Sequence, residues 1–412
     1  MVTAISNVRI FDGEAVLDER LVVIDGPLIT RIGGEIPPDA EVIDAEGQTL
    51  LPGLIDSHVH TSRSALVLAL QFGVTTELEM QGTSTRDRAD IAEDDSVADV
   101  RSAGFGLTPP GGHPSELFGD RRPDHDGGTV DDTADGDEAA SIVMPFVTTP
   151  EEAVAFIPRL VETGSDYIKF MIDDGTVEGH PGLPMLTAPT VAAGVAEAHR
   201  LGMLTVAHAL TIDATRTAVE SGIDGLAHLF MDRPHTSAII DLIAQSGVFV
   251  VPCVVLNASM MGISAAEFAA DPRVDRRLDE AWRATLRGSF DRYHEGDLDA
   301  VLASVTALHA AGVDLLVGTD VSVPFPSFGG LAHGASVHHE LQMFVRAGLA
   351  PMEALRAATS TPARRFGLND RGRVAVGKRA DLLLVDGDPT ETISDTLNIR
   401  TVWRRGTMHA AG

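Results

Sequence analysis

The chain has 412 residues, 44% of them hydrophobic, and carries a formal net charge of -29. This length and apolar content suit one large domain with an accessory unit. The acidic balance disfavours binding to nucleic acid or to an anionic lipid surface through a basic face. No run approaches about 18 apolar residues, and no basic region precedes an apolar one at the N-terminus. We therefore expect no membrane span and no signal peptide.

Two residue types are scarce in this chain. Cys253 is the only cysteine, which excludes an internal disulfide, fits a reducing compartment and leads us to expect a cytoplasmic protein. Because this thiol lies within an apolar run, we interpret it as a buried core residue. Lysine occurs only at Lys169 and Lys378, and arginine supplies the rest of the 31 basic residues. Background frequency is therefore a poor explanation for either lysine.

Both ends of the chain have the character of short strands separated by turns. Residues 8–11 and 21–24 each precede an Asp-Gly turn, and residues 380–385 do the same. Strands from opposite ends of a chain can pair in one sheet. We therefore predict a small composite β-sandwich domain of residues 1–52 and 365–412.

Between these ends, strand-like runs alternate with helix-like segments. This alternation predicts an α/β fold, a (β/α)8 TIM barrel over residues 53–364. The alternative is a doubly wound open sheet, but no glycine-rich phosphate turn follows the first strand. The strand candidates are residues 54–60, 73–80, 102–107, 166–172, 203–209, 223–230, 248–255 and 313–319. The helix candidates include residues 187–201, 211–221 and 299–311, with Thr187 and Thr211 as N-caps of the first two.

Two acidic, glycine-containing stretches interrupt the alternation, at residues 83–99 and 114–139. Each would follow a barrel strand and would lie on the side where barrel enzymes carry their active sites. Two interpretations stay open, a mobile lid or rim over a site and a solvated loop.

Polar residues stand near the C-terminal ends of the predicted barrel strands. His58 and His60 close the first strand, and their i, i+2 spacing puts both imidazoles on one face. Alone, such a pair also fits two surface histidines, and an aspartate after Gly-Thr also fits a helix cap. A polar group on strand after strand is hard to explain as accident, and it predicts a site at this end of the barrel. The further members are Lys169, His208, His228 and Asp320.

The pattern resembles the metal-dependent amidohydrolase superfamily over nearly the whole chain. Gly377-Lys378-Arg379-Ala380-Asp381-Leu382 resembles the "GKxADL" signature that follows the barrel in that family. Within the superfamily, the chain is most similar to imidazolonepropionase-like and prolidase-like amidohydrolases. This second resemblance is carried by Gly111-Gly112-His113, Ala198-His199-Arg200-Leu201-Gly202, Glu340-Leu341 and Ala354-Leu355-Arg356-Ala357-Ala358-Thr359.

The resemblance implies a role for each polar residue. His58 and His60 would bind the more buried of two divalent cations, which we expect to be Zn²⁺. His208 and His228 would bind the second cation. Lys169, carboxylated by CO2, would bridge the two, because a carbamate has two anionic oxygens whereas a neutral amine is one weak donor. Asp320 would ligate the first cation and serve as the proton-transfer base.

His113 follows Gly-Gly at the position where the relatives have a histidine that touches the substrate carbonyl. The resemblance therefore implies that His113 binds substrate, and a structural loop histidine is the alternative.

The implied activity is hydrolysis of an amide-like C–N bond by a hydroxide that bridges the two metals. The small-molecule substrate would be an N-acyl amino acid, a dipeptide or a cyclic amide, and homo-oligomer formation stays open. An ester, lactone or phosphoester hydrolase is an alternative, as is a mononuclear deaminase, although deaminases of the superfamily usually lack the equivalent of Lys169. A catalytically silent relative is the alternative outside the enzymes. Such proteins typically lose metal ligands, whereas this chain has all six.

Two positions depart from the family pattern. Ile172-Asp173-Asp174-Gly175 stands where relatives often have a small-residue "SGG" after the lysine strand. Met231 stands where peptide-cleaving relatives commonly have a tyrosine, and neither Tyr167 nor Tyr293 fits that position. The chain therefore lacks the residue that a tyrosine-assisted dipeptidase would use.

Overall fold

The computed structural model describes residues 2–82, 88–118 and 144–410. The strands are β1 (Val2–Ser6), β2 (Arg9–Ile10), β3 (Leu21–Asp25), β4 (Leu28–Ile32), β5 (Glu41–Asp44), β6 (Gln48–Pro52), β7 (Leu54–Val59), β8 (Val74–Glu79), β9 (Asp99–Ser102), β10 (Ile168–Met171), β11 (Thr205–His208), β12 (Gly225–Ala227), β13 (Phe249–Val251), β14 (Leu382–Asp386), β15 (Ile399–Arg404) and β16 (Thr407–Ala410).

The helices are α1 (Arg63–Gln71), α2 (Arg88–Glu93), α3 (Pro150–Glu162), α4 (Ala188–Arg200), α5 (Ile212–Glu220), α6 (Ser237–Ser246), α7 (Val254–Met260), α8 (Ala266–Ala269), α9 (Pro272–Asp275), α10 (Glu280–Arg287), α11 (Leu298–Ala310), α12 (Ala335–Arg346), α13 (Pro351–Ala357) and α14 (Ser360–Arg365). Short 3-10 helices lie at Ser115–Phe118, Pro326–Phe328 and Ile393–Leu397.

The two ends of the chain meet in one sheet. β14 pairs antiparallel with β6, so that Leu383 lies opposite Leu51. That sheet has the order β16-β15-β14-β6-β2, and a second sheet has the order β4-β3-β1-β5. One buried apolar cluster draws on both sheets; it includes Ile5, Val22, Leu50, Leu382 and Trp403. The β-sandwich and its boundaries stay a prediction.

The middle of the chain carries two parallel sheets, in the orders β7-β8-β9 and β10-β11-β12-β13. On one side the Asp166 amide, just before β10, donates to the Ser102 carbonyl of β9 at 2.8 Å; on the other side the segment 313–319 lies between the sheets, and the Ser57 amide of β7 donates to the Val317 carbonyl of that segment at 2.8 Å. Single bridges join Leu107 with Phe170, Val250 with Leu315 and Val59 with Val321. With helices between successive strands, this is a TIM-barrel-like α/β fold.

The structure shortens several predicted strands. β12 ends at Ala227 because His228 has a φ of 75°, and β13 ends at Val251 because Pro252 leads into Cys253, with a φ of 51°. The predicted strand at 102–107 is displaced, since β9 ends at Ser102 and Gly104 adopts a φ of 66°. Within the described residues, 313–319 forms a single bridge at Leu315 and no strand.

The three predicted helices are present. α4 begins after Thr187, whose side chain accepts from the Thr190 amide, and α5 begins after Thr211, whose side chain accepts from the Ala214 amide. α11 begins one residue earlier than expected, with Asp297 as its N-cap.

The two acidic stretches are described only in part. Helix α2 forms in the first stretch, whereas residues 83–87 and 119–139 lie outside the described residues. The lid interpretation falls on these residues and therefore stays a prediction. Among the helices of the described ranges, none combines the length and apolar character that a membrane span requires.

Candidate metal centre

The structure brings His58, His60 and Asp320 together at the C-terminal end of β7. Asp320 Oδ1 lies 3.0 Å from His58 Nε2 and 2.9 Å from His60 Nε2. His60 Nδ1 lies 2.8 Å from the Gln81 carbonyl, to which it can only donate, so the lone pair of Nε2 is left for the site. Two residues at the end of β7 and one residue of a distant segment thus converge on one point.

This arrangement fits a divalent cation. The three ligating atoms lie within 4.8 Å of one another. Asp320 Oδ1 is buried and has no partner in hydrogen-bonding geometry within the described residues, although two imidazole nitrogens are close. Buried polar atoms normally have a partner. Two imidazoles and a carboxylate form a donor set that Zn²⁺ and similar cations accept.

The protonation states of His58 and Asp320 also suit ligation, whereas the contact with Asp320 and its charge outweigh burial and raise the pKa of His60. Burial lowers the pKa of His58 to about 3, which keeps the imidazole neutral. Burial acts to raise the pKa of Asp320, but the neighbouring imidazoles of His58 and His60 outweigh it and hold that pKa well below its usual range. Neutral imidazole and anionic carboxylate are the forms that bind metals.

Lys169, His208 and His228 lie beside this group. The His228 ring centroid is 4.5 Å from that of His58 and 4.6 Å from that of His208. Lys169 projects from β10 and is 1% exposed. Burial lowers its pKa to about 8, against the opposing charge of Asp320. A substantial fraction of this lysine is therefore a neutral amine near pH 8.

The six sequence-predicted ligands are thus neighbours, but the grouping differs from the expected one. Among the described residues, His208 falls into one group with His113 and Glu178, and His228 into another with His58 and Cys253. The expected pairing of His208 with His228 is represented only by the contact between their rings.

His208 is oriented by Asp173, from the loop after β10. His208 Nε2 lies 3.1 Å from Asp173 Oδ2, and the Gly175 amide donates to Asp173 Oδ1 at 2.6 Å. Burial lowers the pKa of His208 to about 4. A neutral ring that donates through Nε2 presents Nδ1 as its acceptor, which is how carboxylates position histidine ligands around metals.

His113 stacks on His208, with ring centroids 4.4 Å apart and an interplanar angle of 28°. Its Nδ1 lies 2.6 Å from Glu116 Oε1. Burial alone would lower the pKa of His113, but the hydrogen bond to Glu116 and the charges of Glu178 and Glu116 raise it to about 9. His113 is therefore cationic near neutral pH.

Three strained backbone positions surround the site. His228, Cys253 and Asp320 have φ values of 75°, 51° and 58°. Non-glycine residues adopt this left-handed region rarely, and such positions cluster at functional sites. Each turn follows a strand or bridge segment and directs a polar side chain inward.

A buried network supports the strand ends. Asp56 Oδ2 accepts from the Thr319 hydroxyl at 2.7 Å, and Asp56 Oδ1 accepts from the His58 amide at 3.2 Å. Glu77 Oε1 lies 2.9 Å from His333 Nδ1. The first strand of the barrel-like unit is thus bound through its side chains to the segment that carries Asp320.

Sequence reasoning missed several residues of the site. Glu116 lies in a short 3-10 helix, and Asp173 and Glu178 lie in the loop after β10; the apolar pattern reveals the path of neither segment. Cys253 is buried as predicted, but its position was not foreseen, with Sγ 3.8 Å from His58 Nδ1. The Ile-Asp-Asp-Gly departure was the one signal that pointed to Asp173.

Comparisons with known proteins agree with this architecture. The amidohydrolase family model matches residues 49–408. An allantoinase from Solibacter usitatus (strain Ellin6076) is 26% identical over 410 residues, covering 90% of this chain and 82% of that protein. An adenine deaminase from Gluconobacter oxydans (strain 621H) is 23% identical and covers 96% of this chain, which spans 57% of that relative's length.

A solved structure of a Xaa-Pro dipeptidase with bound methionine in the active site superposes with a TM-score of 0.73 and 23% identity over 100% of both chains. Identity at this level shows a shared fold. The family model covers most of this chain, including the segment that carries all six polar strand-end residues. The chain therefore belongs to the amidohydrolase family and is a metal-dependent hydrolase of amide-type C–N bonds.

Proposed function

We propose that the protein holds two divalent cations, which we expect to be Zn²⁺. The ligands are His58, His60, Lys169, His208, His228 and Asp320. The observation that carries this proposal is the convergence of His58, His60 and Asp320, with a buried Asp320 oxygen that has no partner in hydrogen-bonding geometry among described residues. His228 extends the same cluster, since its Nε2 lies 3.9 Å from Asp320 Oδ2.

Lys169 is carboxylated in this proposal. Its neutral amine attacks CO2, forming an N–C bond and releasing a proton, and the resulting carbamate shares one negative charge between two oxygens that can each bind a cation. Support comes from its burial and from the lowered pKa, which favours the amine that reacts. The nearly complete lack of other lysines in the chain supports a specific role as well.

Two cations in this place would lower the pKa of a shared water and polarise the scissile carbonyl. Asp320 takes a proton from the attacking water and passes it to the leaving nitrogen, as the C–O bond forms and the C–N bond breaks. His113, held by Glu116, donates a hydrogen bond from Nε2 to the substrate oxygen that gains negative charge. The substrate is a small N-acyl amino acid, dipeptide or cyclic amide.

Deamination is a second candidate, because curated relatives include adenine deaminases. One from Methanoregula boonei is 49% identical, but over only 59 residues. Lys169 favours the hydrolysis of an amide bond, since the resemblance associates the lysine strand with two-metal members. Ester, lactone and phosphoester hydrolysis by the same centre are further alternatives.

The finer architecture is also part of the proposal. Residues 53–364 form a closed (β/α)8 barrel, and residues 1–52 with 365–412 form a β-sandwich. The hydrogen bonds between the two parallel sheets and the apolar cluster shared by the chain ends support this division. Cytoplasmic location and homo-oligomer formation stay predictions.

A hydrolysis screen with metal-loaded protein tests the activity. The panel contains N-acyl amino acids, dipeptides, cyclic amides, lactones and aminopurines, and elemental analysis gives the metal content. Two equivalents of metal with release of an amine or ring opening of an amide support the proposal. Ammonia release from an aminopurine with one metal equivalent supports the deaminase instead.

A further inference from the structure

Glu178 lies beside His113, the residue that contacts substrate in the proposed function. It belongs to the loop after β10, and its carboxylate lies within 4.8 Å of ligating atoms of His113 and His208. The side chains of His58, His60 and Asp320 form a separate group. Glu178 thus stands on the His113 side of the centre, which is the substrate side in the proposed function.

The loop that carries Glu178 is well ordered by its own hydrogen bonds. The Gly175 amide donates to Asp173 Oδ1 at 2.6 Å, and the His180 amide donates to the Gly175 carbonyl at 2.8 Å. Val177 is fully buried directly before Glu178. A carboxylate on such a loop is held in place before substrate arrives, which is what a recognition residue requires.

The charges around Glu178 are mostly acidic. Its main electrostatic neighbours are His113, Asp173, Asp320 and Glu116. His113 already contacts Glu116 through Nδ1, at 2.6 Å. Within the ranges that the structure describes, no arginine or lysine forms an ion pair with Glu178.

Glu116 provides a second, independent sign of a missing partner. Its side chain is 5% exposed, and its Oε2 has no hydrogen-bond partner among the described residues. Such a buried acceptor is costly unless a donor meets it. Among the described residues, Glu116 Oε2 therefore lacks a donor, and Glu178 lacks an arginine or lysine partner.

We propose that Glu178 is a specificity-determining residue that binds a cationic or N–H-rich group of the substrate, such as an ammonium, guanidinium or ureide. The proposal rests on the proposed function and narrows its substrate class. A substrate that places a free carboxylate beside Glu178, Glu116 and Asp173 meets like charge, whereas a cation or amide N–H supplies the missing donor. This disfavours substrates whose acidic group points into this loop.

The test uses metal-loaded protein and three 4-nitroanilides of equal design, those of N-acetyl-lysine, N-acetyl-norleucine and N-acetyl-glutamate. Wild-type protein is expected to prefer the lysine compound to the norleucine compound, with the glutamate compound last. Glu178→Gln should reduce the lysine-to-norleucine ratio of kcat/KM by about 10- to 100-fold, the range of a charge-assisted hydrogen bond. The loss should fall mainly on KM, and Glu178→Asp should retain part of the ratio.

Glu162→Gln is the matched control, because Glu162 is an exposed carboxylate at the end of α3. It changes the net charge equally and should leave the ratio unchanged. An unchanged ratio in Glu178→Gln overturns the proposal, and so does loss of metal from this variant, which would make Glu178 a ligand.

If metal-replete protein hydrolyses none of the anilides, the proposed amide hydrolysis loses support. The role of Glu178 is then tested by ligand binding instead of turnover. Calorimetry then compares the amides of N-acetyl-lysine and N-acetyl-norleucine as ligands. Tighter binding of the lysine amide, reduced by Glu178→Gln, supports the proposal; equal binding of the two amides to wild-type protein overturns it.

Discussion

His113 and His208 lie face to face, with 4.4 Å between their ring centroids, and each contacts a carboxylate from a different segment of the chain. Glu116 contacts His113 at 2.6 Å, and Asp173 contacts His208 at 3.1 Å. Both carboxylates act to raise the pKa of their histidine, but for His208 burial and the charge of His113 outweigh this effect. Glu116 keeps His113 cationic, with its pKa near 9, whereas His208 stays neutral, with its pKa near 4. In the proposed function, a hydrogen-bond donor for substrate and a neutral ligand thus stand side by side.

Asp173→Asn is expected to weaken binding of the second metal by about 10- to 100-fold, because the ring of His208 loses the carboxylate that orients it. Competition with a chelator measures the affinity. Asp174→Asn is the matched control, since the side chain of the neighbouring Asp174 accepts from the Thr176 amide at 2.9 Å and belongs to none of the ligand groups. Equal metal affinities of the two variants would show that Asp173 does not support a metal ligand.

His113→Asn should leave two metals bound while reducing kcat/KM, because the donor to the substrate oxygen is lost. A reduction of about 100-fold or more corresponds to the loss of one such donor. Elemental analysis and steady-state kinetics on the same preparation separate the two effects. Loss of metal from this variant would instead make His113 a ligand, as its place beside His208 and Glu178 also permits.

Asp320→Asn should keep the fold and most of the metal but lower kcat by about 100-fold or more, because the proton shuttle is lost while the amide oxygen still ligates weakly. Circular dichroism and metal content verify the first part of this expectation. Turnover close to wild type at full metal occupancy would show that another group moves the proton.

Asp99 ties β9 to the C-terminal β strands. Its side chain is fully buried, contacts Arg371, and lies 3.1 Å from Arg379 Nη1 and 3.7 Å from Arg404 Nη2. Burial acts to raise the pKa of Asp99, but the charges of Arg371, Arg101 and Arg379 outweigh it and lower that pKa. Asp99→Asn should therefore destabilise the protein by about 3–5 kcal/mol at pH 7, because buried arginines lose their partner.

The pH dependence of this effect has a definite sign. Because the pKa is lower in the folded state, the stabilisation is complete above the unfolded pKa of about 3.9 and is lost as the pH falls toward the folded value. Denaturant unfolding should thus show a wild-type advantage at pH 7 that shrinks below about pH 4. Asp213→Asn, in an exposed pair with Arg233, is the control and should change stability by about 1 kcal/mol at most.

The sequence pattern predicted six polar residues as one group because each lies in the C-terminal part of an apolar run. The structure brings these residues together, although their roles as ligands stay a proposal. Strand ends were predicted less well where the chain turns into the left-handed region, as at His228 and Cys253. Glu178 and Glu116 could not be assigned, because loop residues reach the site through tertiary contacts that no periodicity encodes.

The state of Lys169 distinguishes a centre with one metal ion from a centre with two. Lys169 is 1% exposed, between Ile168 and Phe170, where an unpaired ammonium is unfavourable. Its lowered pKa, about 8, supplies the neutral amine that reacts with CO2, and the carbamate in turn requires cations beside it. Metal binding and carboxylation should therefore stabilise each other.

Lys169→Ala should accordingly lose most activity and much of the metal, and acetate or propionate should partly restore both by replacing the carbamate oxygens. Lys378→Ala is the control, because Lys378 is the other lysine of the chain. Its amine donates to the Asn369 carbonyl at the protein surface. A crystal structure of the metal-loaded protein should show added density on the Lys169 amine between two ions. An active, metal-replete enzyme with an unmodified Lys169 and one ion held by His58, His60 and Asp320 would contradict the two-metal proposal.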